Sequence, residues 1–154
     1  MADERRDGAL RAVAMRVLRA DVVVAGETVA RIGRGQACLV GFGRDDQDRD
    51  LDWMVRKLHA LRIFEDERGR LSLSADALGL AHLLVPQFTL YGDVGRGNRP
   101  DFGPAMPPEE ARARWQAFLL RFGPAEAGIF GADMRVSLEN DGPVTILVDS
   151  RRGD

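Results

Sequence analysis

The sequence predicts an α+β domain in which a mostly antiparallel, barrel-like β-sheet is covered by two helices. Three observations carry that expectation. Residues 12–43 are rich in Val and Ile and punctuated by glycine. Two later stretches, beginning near 51 and near 108, hold apolar residues at helical spacing, and 134–148 alternates apolar with polar residues. At 154 residues, 45% of them hydrophobic and 30% charged, the chain fits one domain able to bury a core. Residues 1–11 read as a flexible N-terminal extension, 12–150 as the single domain and 151–154 as a C-terminal tail.

Taken in order, "VAMRVLRADVVV", "TVARIG" and "RGQACLVGF" read as three strands with hairpin connections. "DRDLDWMVRKLHALRIF" then sets Leu51, Met54, Val55, Leu58 and Leu61 on one face of a helix that should lie on the sheet. "EDERGRLSLSADALG" is a turn with a short strand and loop. "AHLLVPQFTLY" follows as an apolar, interior strand broken by one proline, with Gln87 to Thr89 on that strand. The second helix begins near "PPEE", where Pro108 suits the first turn and Glu109 and Glu110 complement the helix dipole. Its apolar face is Ala111, Trp115, Phe118, Leu119 and Phe122, and "GP" at 123–124 ends it. The last part reads as a hairpin or strand pair, Met134 to Leu138 and Val144 to Val148, joined by a tight turn at "ENDGP".

Several function classes are excluded or weakened. No segment approaches the 18 or so consecutive apolar residues of a membrane span, and the charged start lacks a secretory pattern, so a cytoplasmic protein without a membrane partner is expected. A net charge of -2 gives no global positive field toward DNA or RNA, so any RNA contact must be local. Cys38, the one cysteine, lies in "ACLVGF" and reads as a small buried hydrophobe. His59 and His82, the two available imidazoles, read as structural or surface residues, and no serine or cysteine stands where a triad would need it. No His, Cys or carboxylate cluster stands at metal-ligand spacing, so no metal and no cofactor are expected. "GDVGRG" lacks the Lys-Ser/Thr ending of a phosphate loop.

Two features remain, Gln87 to Thr89 and "NDGPVT" at 140–145. At these stretches, "PQFTL" and "NDGPVT", the sequence resembles the D-aminoacyl-tRNA deacylase family, of the D-tyrosyl-tRNA deacylase type. The likeness continues through "MRVLRADVVVAGETVARIGRG", "LRIFEDERGRLSLS", "RGNRPDF" and "FGADMRVSL", which is nearly the whole chain after the leader.

The resemblance implies a homodimer that hydrolyses the ester joining a D-amino acid, or glycine, to the terminal adenosine of tRNA. Gln87, Phe88 and Thr89 would form the catalytic stretch, with the backbone amides of Phe88 and Thr89 as the oxyanion hole; the ribose 2'-hydroxyl would help activate water, and neither metal nor organic cofactor would take part. A cis Gly142-Pro143 would reach into the partner's pocket and exclude L substrates around Cα. Phe130 and Met134 would pack on the terminal base, and Arg96 and Arg99 would meet acceptor-stem phosphates. As single residues, Phe130 and Met134 read equally as core and the two arginines as a solvated loop. One departure stands out: Pro86 occupies the position where the family usually has Ser. Proline there resembles the related animal tRNA deacylase of relaxed chirality, which accepts L-alanyl-tRNA and has a trans Gly-Pro. An inert RNA-binding or dimerisation module with the same fold is the alternative of another class.

Overall fold

The computed structural model describes residues 9–152. The order of elements is β1 (Arg11–Val24), β2 (Glu27–Ile32), β3 (Gly35–Gly41), α1 (Asp48–Ala60), β4 (Phe64–Glu65), β5 (Leu71–Leu73), β6 (Ala81–Pro86), α2 (Pro108–Phe122), β7 (Glu126–Ala127) and β8 (Arg135–Asp149). Short 3-10 turns follow β6 at Phe88–Tyr91 and β8 at Ser150–Arg152. Among the described residues no helix is long and apolar enough to cross a membrane.

The long strand β1 organises the sheet. Its first half pairs with β3 and its second half with β2 along one edge, while β8 runs antiparallel to it along the other. From β3 the sheet continues to β6 and β7 by parallel pairings, while the pairings of β1 with β2, β3 and β8 are antiparallel, so the sheet is mostly antiparallel as expected. Each parallel pair is joined by a segment containing a helix, α1 between β3 and β6 and α2 between β6 and β7, because parallel neighbours need a long crossover. The amide of Arg31 on β2 donates to Glu126 Oε1 on β7 at 3.3 Å, which brings the two ends of the sheet together into a nearly closed barrel.

Both faces of the sheet are covered, and alternation decides which residue goes where. Ala12 and Ala14 on β1, Cys38 and Val40 on β3 and Leu84 on β6 face the helices, meeting Leu51, Met54 and Leu58 of α1 and Trp115, Phe118 and Phe122 of α2. Met15, Val17, Ala37, Leu83 and Val85 point inward with Ala20, Val22, Ala30 and Ile32. On β1 the inward positions change from odd to even between Val17 and Ala20, where the register with β8 shifts. The helix readings hold: Leu51, Met54 and Leu58 are wholly buried with Val55 and Leu61 packed beside them, and Pro108 opens α2.

Three expectations are corrected. The interior strand ends at Pro86, so Phe88 and Thr89 lie in a 3-10 turn and not on a strand. Proline supplies no N–H to extend the ladder, and the chain turns away after Gln87 donates to Val40 O at 2.8 Å. The region 134–148 is not a hairpin. Both of its halves pair antiparallel with β1, and between the pairs Met15–Thr145 and Val17–Asn140 the residues 141–144 face Arg16 alone. "DGPV" is therefore a loop extruded from one continuous strand. Finally, of the expected N-terminal extension, residues 1–8 lie outside the described residues. Ala9 and Leu10, however, are fully buried, and Leu10 O accepts from the amide of Ser150 at 3.0 Å. Arg151, placed in the expected tail, lies in the 3-10 turn and pairs with Asp149 at 2.8 Å.

Candidate functional site

The end of β6, the segment before β8 and the loop before α2 enclose a cavity of about 620 Å³. Its walls include Val85, Pro86, Gln87 and Phe88 on one side, Phe130, Met134 and Val136 on another, and Phe102 and Met106 on a third. Most of these are apolar, which gives a slot suited to a flat ring. The structure thus brings together Gln87, Phe88, Phe130 and Met134, four of the residues singled out in the sequence. Met134 reaches the wall because Gly128 has no side chain: a Cβ there would lie 2.8 Å from Met134 Sδ and 3.3 Å from Pro86 Cδ. Arg112 lies over the ring of Phe130, 5.0 Å from its centroid.

Where the cavity meets the 3-10 turn, the backbone carries unspent donors. The first hydrogen bond of the turn runs from Leu90 N to Gln87 O at 3.4 Å, so the amides of Phe88 and Thr89, which precede it, have no acceptor among the described residues. The Gln87 amide, by contrast, is already given to Val40 O and is not available as a third donor. The Gln87 side chain is turned toward its own segment, with Nε2 donating to Thr89 Oγ1. Phe88 is 57% exposed and meets Phe102 edge-on at 5.2 Å. Among the described residues no side-chain nucleophile lines this cavity: Cys38 is buried elsewhere, and burial pushes its thiol up to about 12 against a smaller opposing hydrogen bond from Gln36.

The extruded loop of β8 is built residue by residue. Asn140 spans its base, its Oδ1 accepting from the amide of Val144 and its Nδ2 donating to Thr145 Oγ1, both at 2.8 Å. Arg16, a buried side chain that sequence reasoning passed over, donates from Nε to Asp141 O at 2.9 Å and from NH1 to Ile63 O at 3.1 Å. A charged residue on the inward-reading strand "VAMRVL" was the available signal for it. Gly142 has φ +136, and a Cβ on it would lie 2.8 Å from Val144 Cγ2 and 3.1 Å from Arg16 NH2. The Gly142-Pro143 bond is cis. Both residues are exposed, and neither lines the cavity of the same chain.

Arg96 and Arg99 lie on a separate exposed loop, closed by the pair Asp93–Asp101 with N···O distances of 2.8 and 2.9 Å. Neither forms an ion pair among the described residues.

The two histidines are not independent surface residues. His59 Nδ1 and His82 Nε2 each stand 2.7 Å from a different oxygen of Asp76, although the three are 17 and 6 positions apart in the chain. The expected absence of any clustered ligand set does not hold in three dimensions. Burial alone would raise the Asp76 pKa, but the hydrogen bonds from His82 and His59 outweigh it and hold the carboxyl below its ordinary range.

A family model described as D-Tyr-tRNA(Tyr) deacylase matches residues 13–149. The chain belongs to this deacylase family. Among curated relatives, the D-aminoacyl-tRNA deacylase of Chloroherpeton thalassium is 49% identical over 146 residues, covering 92% of this chain and 96% of that protein. The D-aminoacyl-tRNA deacylase of Anaeromyxobacter dehalogenans is 50% identical over 147 residues, covering 93% and 99%. Among solved structures, the c-Myc DNA Unwinding Element Binding Protein superposes with a TM-score of 0.86 at 44% identity over 90% of this chain and 97% of that one. A probable eukaryotic D-amino acid tRNA deacylase shares the fold, with a TM-score of 0.79 at 20% identity over 92% and 99%. In this deacylase the family's two signature stretches fall on the 3-10 turn at the cavity and on the extruded loop of β8.

Proposed function

We propose that the chain hydrolyses the ester linking a D-amino acid, or glycine, to the terminal adenosine of tRNA. It would do so with backbone amides in place of a side-chain nucleophile. The observation that carries this reading is the pair of unspent amides, Phe88 in the wall of an apolar slot lined by Phe130 and Met134 and Thr89 next to it in the chain. The terminal base lies in the slot, stacked on Phe130 and against Met134. Water attacks the ester carbonyl, and the charge that develops on its oxygen is held by the two N–H groups. The bond to the ribose oxygen then breaks and that oxygen takes up a proton, the neighbouring 2'-hydroxyl helping to orient the water. Pro86, which has neither a hydroxyl nor an N–H, is compatible with this chemistry.

Selection against L substrates is assigned to the carbonyl groups of Gly142 and Pro143. Both residues are exposed and outside the cavity of their own chain, which supports a role in the cavity of a second copy. β8 has β1 as its one strand neighbour among the described residues, and Leu147 on it is 81% exposed, a side chain that a homodimer would cover. Leu147→Arg is expected to convert a dimer into a monomer in light scattering and to abolish deacylation. A monomer with full activity would remove the partner's loop from the mechanism.

Arg96 and Arg99 are assigned to acceptor-stem phosphates, since both are exposed and without an ion pair among the described residues. Replacing either with Ala is expected to weaken tRNA binding regardless of sequence and to reduce the salt slope by roughly 0.7–0.9 per contact. Unchanged slopes in both variants would leave them a solvated loop.

Pro86 favours one second reading, a proofreading deacylase of relaxed chirality that also cleaves L-alanyl-tRNA. Comparing hydrolysis of D-alanyl-tRNA with L-alanyl-tRNA separates the two.

A further inference from the structure

We infer that His59, Asp76 and His82 form a binding site for a divalent transition-metal cation of the zinc class, apart from the deacylase cavity. The three ligand atoms lie within 4.8 Å of one another and come from three separate parts of the fold. His59 sits in the last turn of α1, Asp76 in the turn between β5 and β6, and His82 near the start of β6. None of them lines the cavity around Phe88.

The hydrogen bonds around the cluster set up its chemistry. His59 Nε2 lies 2.9 Å from Phe122 O, an atom that can only accept, so Nε2 carries a hydrogen, and loss of the hydrogen that Nδ1 shares with Asp76 would free the Nδ1 lone pair for a cation. A carbonyl behind the ring is the usual second partner of a metal-bound histidine, because it fixes the tautomer and the ring plane. Phe122 also stacks on His59 at 4.0 Å and meets His82 edge-on at 5.0 Å, holding both rings. His82 is buried and its Nδ1 has no partner among the described residues, so a cation on Nε2 would place the ring hydrogen on an Nδ1 without an acceptor. Asp76 is paired with no arginine or lysine among the described residues, so its carboxylate faces the two imidazoles without a competing cation.

Two imidazoles and one carboxylate are a ligand set for zinc, with water completing a fourth position. The 2.7 Å spacings are those of hydrogen bonds. Bonds of about 2.0–2.1 Å at tetrahedral angles need ligand edges of roughly 3.3 Å, so the carboxylate must withdraw by about 0.6 Å from each ring and the widest separation of the cluster, up to 4.8 Å, must close toward the same edge. With side chains 46% and 28% exposed, Asp76 and His59 have room to make that adjustment and a route for the ion from solvent. A bound cation would pin α1 and the β5–β6 turn to β6, which would make it a structural clasp without a step in ester hydrolysis.

The test uses the full chain stripped of metal by a chelator and titrated with zinc chloride. The expected result is one zinc per chain by calorimetry and elemental analysis. At about 100 times the dissociation constant the Tm should rise by roughly 5–10 °C. Cobalt(II) should give the visible absorption of a four-coordinate site. His59→Gln and Asp76→Asn, both at partly exposed positions, should each weaken zinc binding by at least about 100-fold. Should either variant misfold, the ring 15N shifts of the two histidines in the unmodified protein report ligation directly. Absence of stoichiometric uptake overturns the site, as does uptake unchanged in both variants. A Tm that follows pH through the histidine range but ignores zinc also overturns it, assigning the cluster to a shared proton.

Discussion

Phe88→Pro is expected to lower single-turnover hydrolysis of D-aminoacyl-tRNA by about 10²–10³-fold, the usual consequence of removing one oxyanion donor. The structure makes this substitution cleaner than it would be on a strand. Phe88 is the first residue of a 3-10 turn, and its N–H makes no bond among the described residues. These are the conditions under which proline is best tolerated. Two companions separate the backbone from the side chains. Phe88→Ala loses the ring that meets Phe102 but keeps the amide. Thr89→Ala loses the hydroxyl that accepts from Gln87 but keeps its own amide. Both should stay within about tenfold of the unmodified enzyme, since neither removes an oxyanion donor. If Thr89→Ala is as inactive as Phe88→Pro while folded, a hydroxyl and not the amides performs the chemistry.

Gly142→Ala is expected to degrade selection more than turnover. At φ +136 an L side chain is strained, and its Cβ would press on Val144 and on the Arg16 guanidinium, neither of which yields easily: Val144 packs against Ile63 and Phe64, and Arg16 is buried with two carbonyl partners. The loop must therefore shift, at a cost of about 1–3 kcal/mol in stability. Its carbonyl groups move with it. A misplacement worth about 1.4 kcal/mol at the transition state is tenfold in rate, so the ratio of D to L hydrolysis should fall by at least about that factor. Thermal melts would confirm that the variant is folded, and paired rates on D- and L-aminoacyl-tRNA give the ratio. A ratio unchanged in a folded dimer assigns the loop to structure alone.

The parts of this molecule that were legible in the sequence are those governed by local periodicity. Leu51, Met54 and Leu58 pointed inward as their spacing required, and Pro108 opened α2. What escaped was set by pairing over distance. Nothing local distinguishes a strand that doubles back at "ENDGP" from one that extrudes four residues and continues along the same partner; the pairing of both halves with β1 decides it. The parallel pairing of β3 with β6 was readable in principle from the helix between two apolar strands, a pattern that implies a crossover. At the site, the "PQFTL" and "NDGPVT" stretches fall on the turn beside the cavity and on the extruded loop of β8. The use of the Gln87 amide by Val40, and the grip of Arg16 on Asp141, depend on neighbours far away in sequence. The histidine cluster was hidden for the same reason, because positions 59, 76 and 82 follow no ligand spacing along the chain.

The most direct measurement is the single-turnover rate of the purified protein on one tRNA charged in turn with a D-amino acid, its L enantiomer and glycine, with chelator present. Fast release of the D-amino acid and of glycine, with the L ester decaying at its uncatalysed rate, is the predicted outcome. Release of the L-amino acid as fast as the D would contradict the assignment of the Gly142-Pro143 loop as a chiral filter, and no acceleration on any of the three would contradict the assignment of an enzyme.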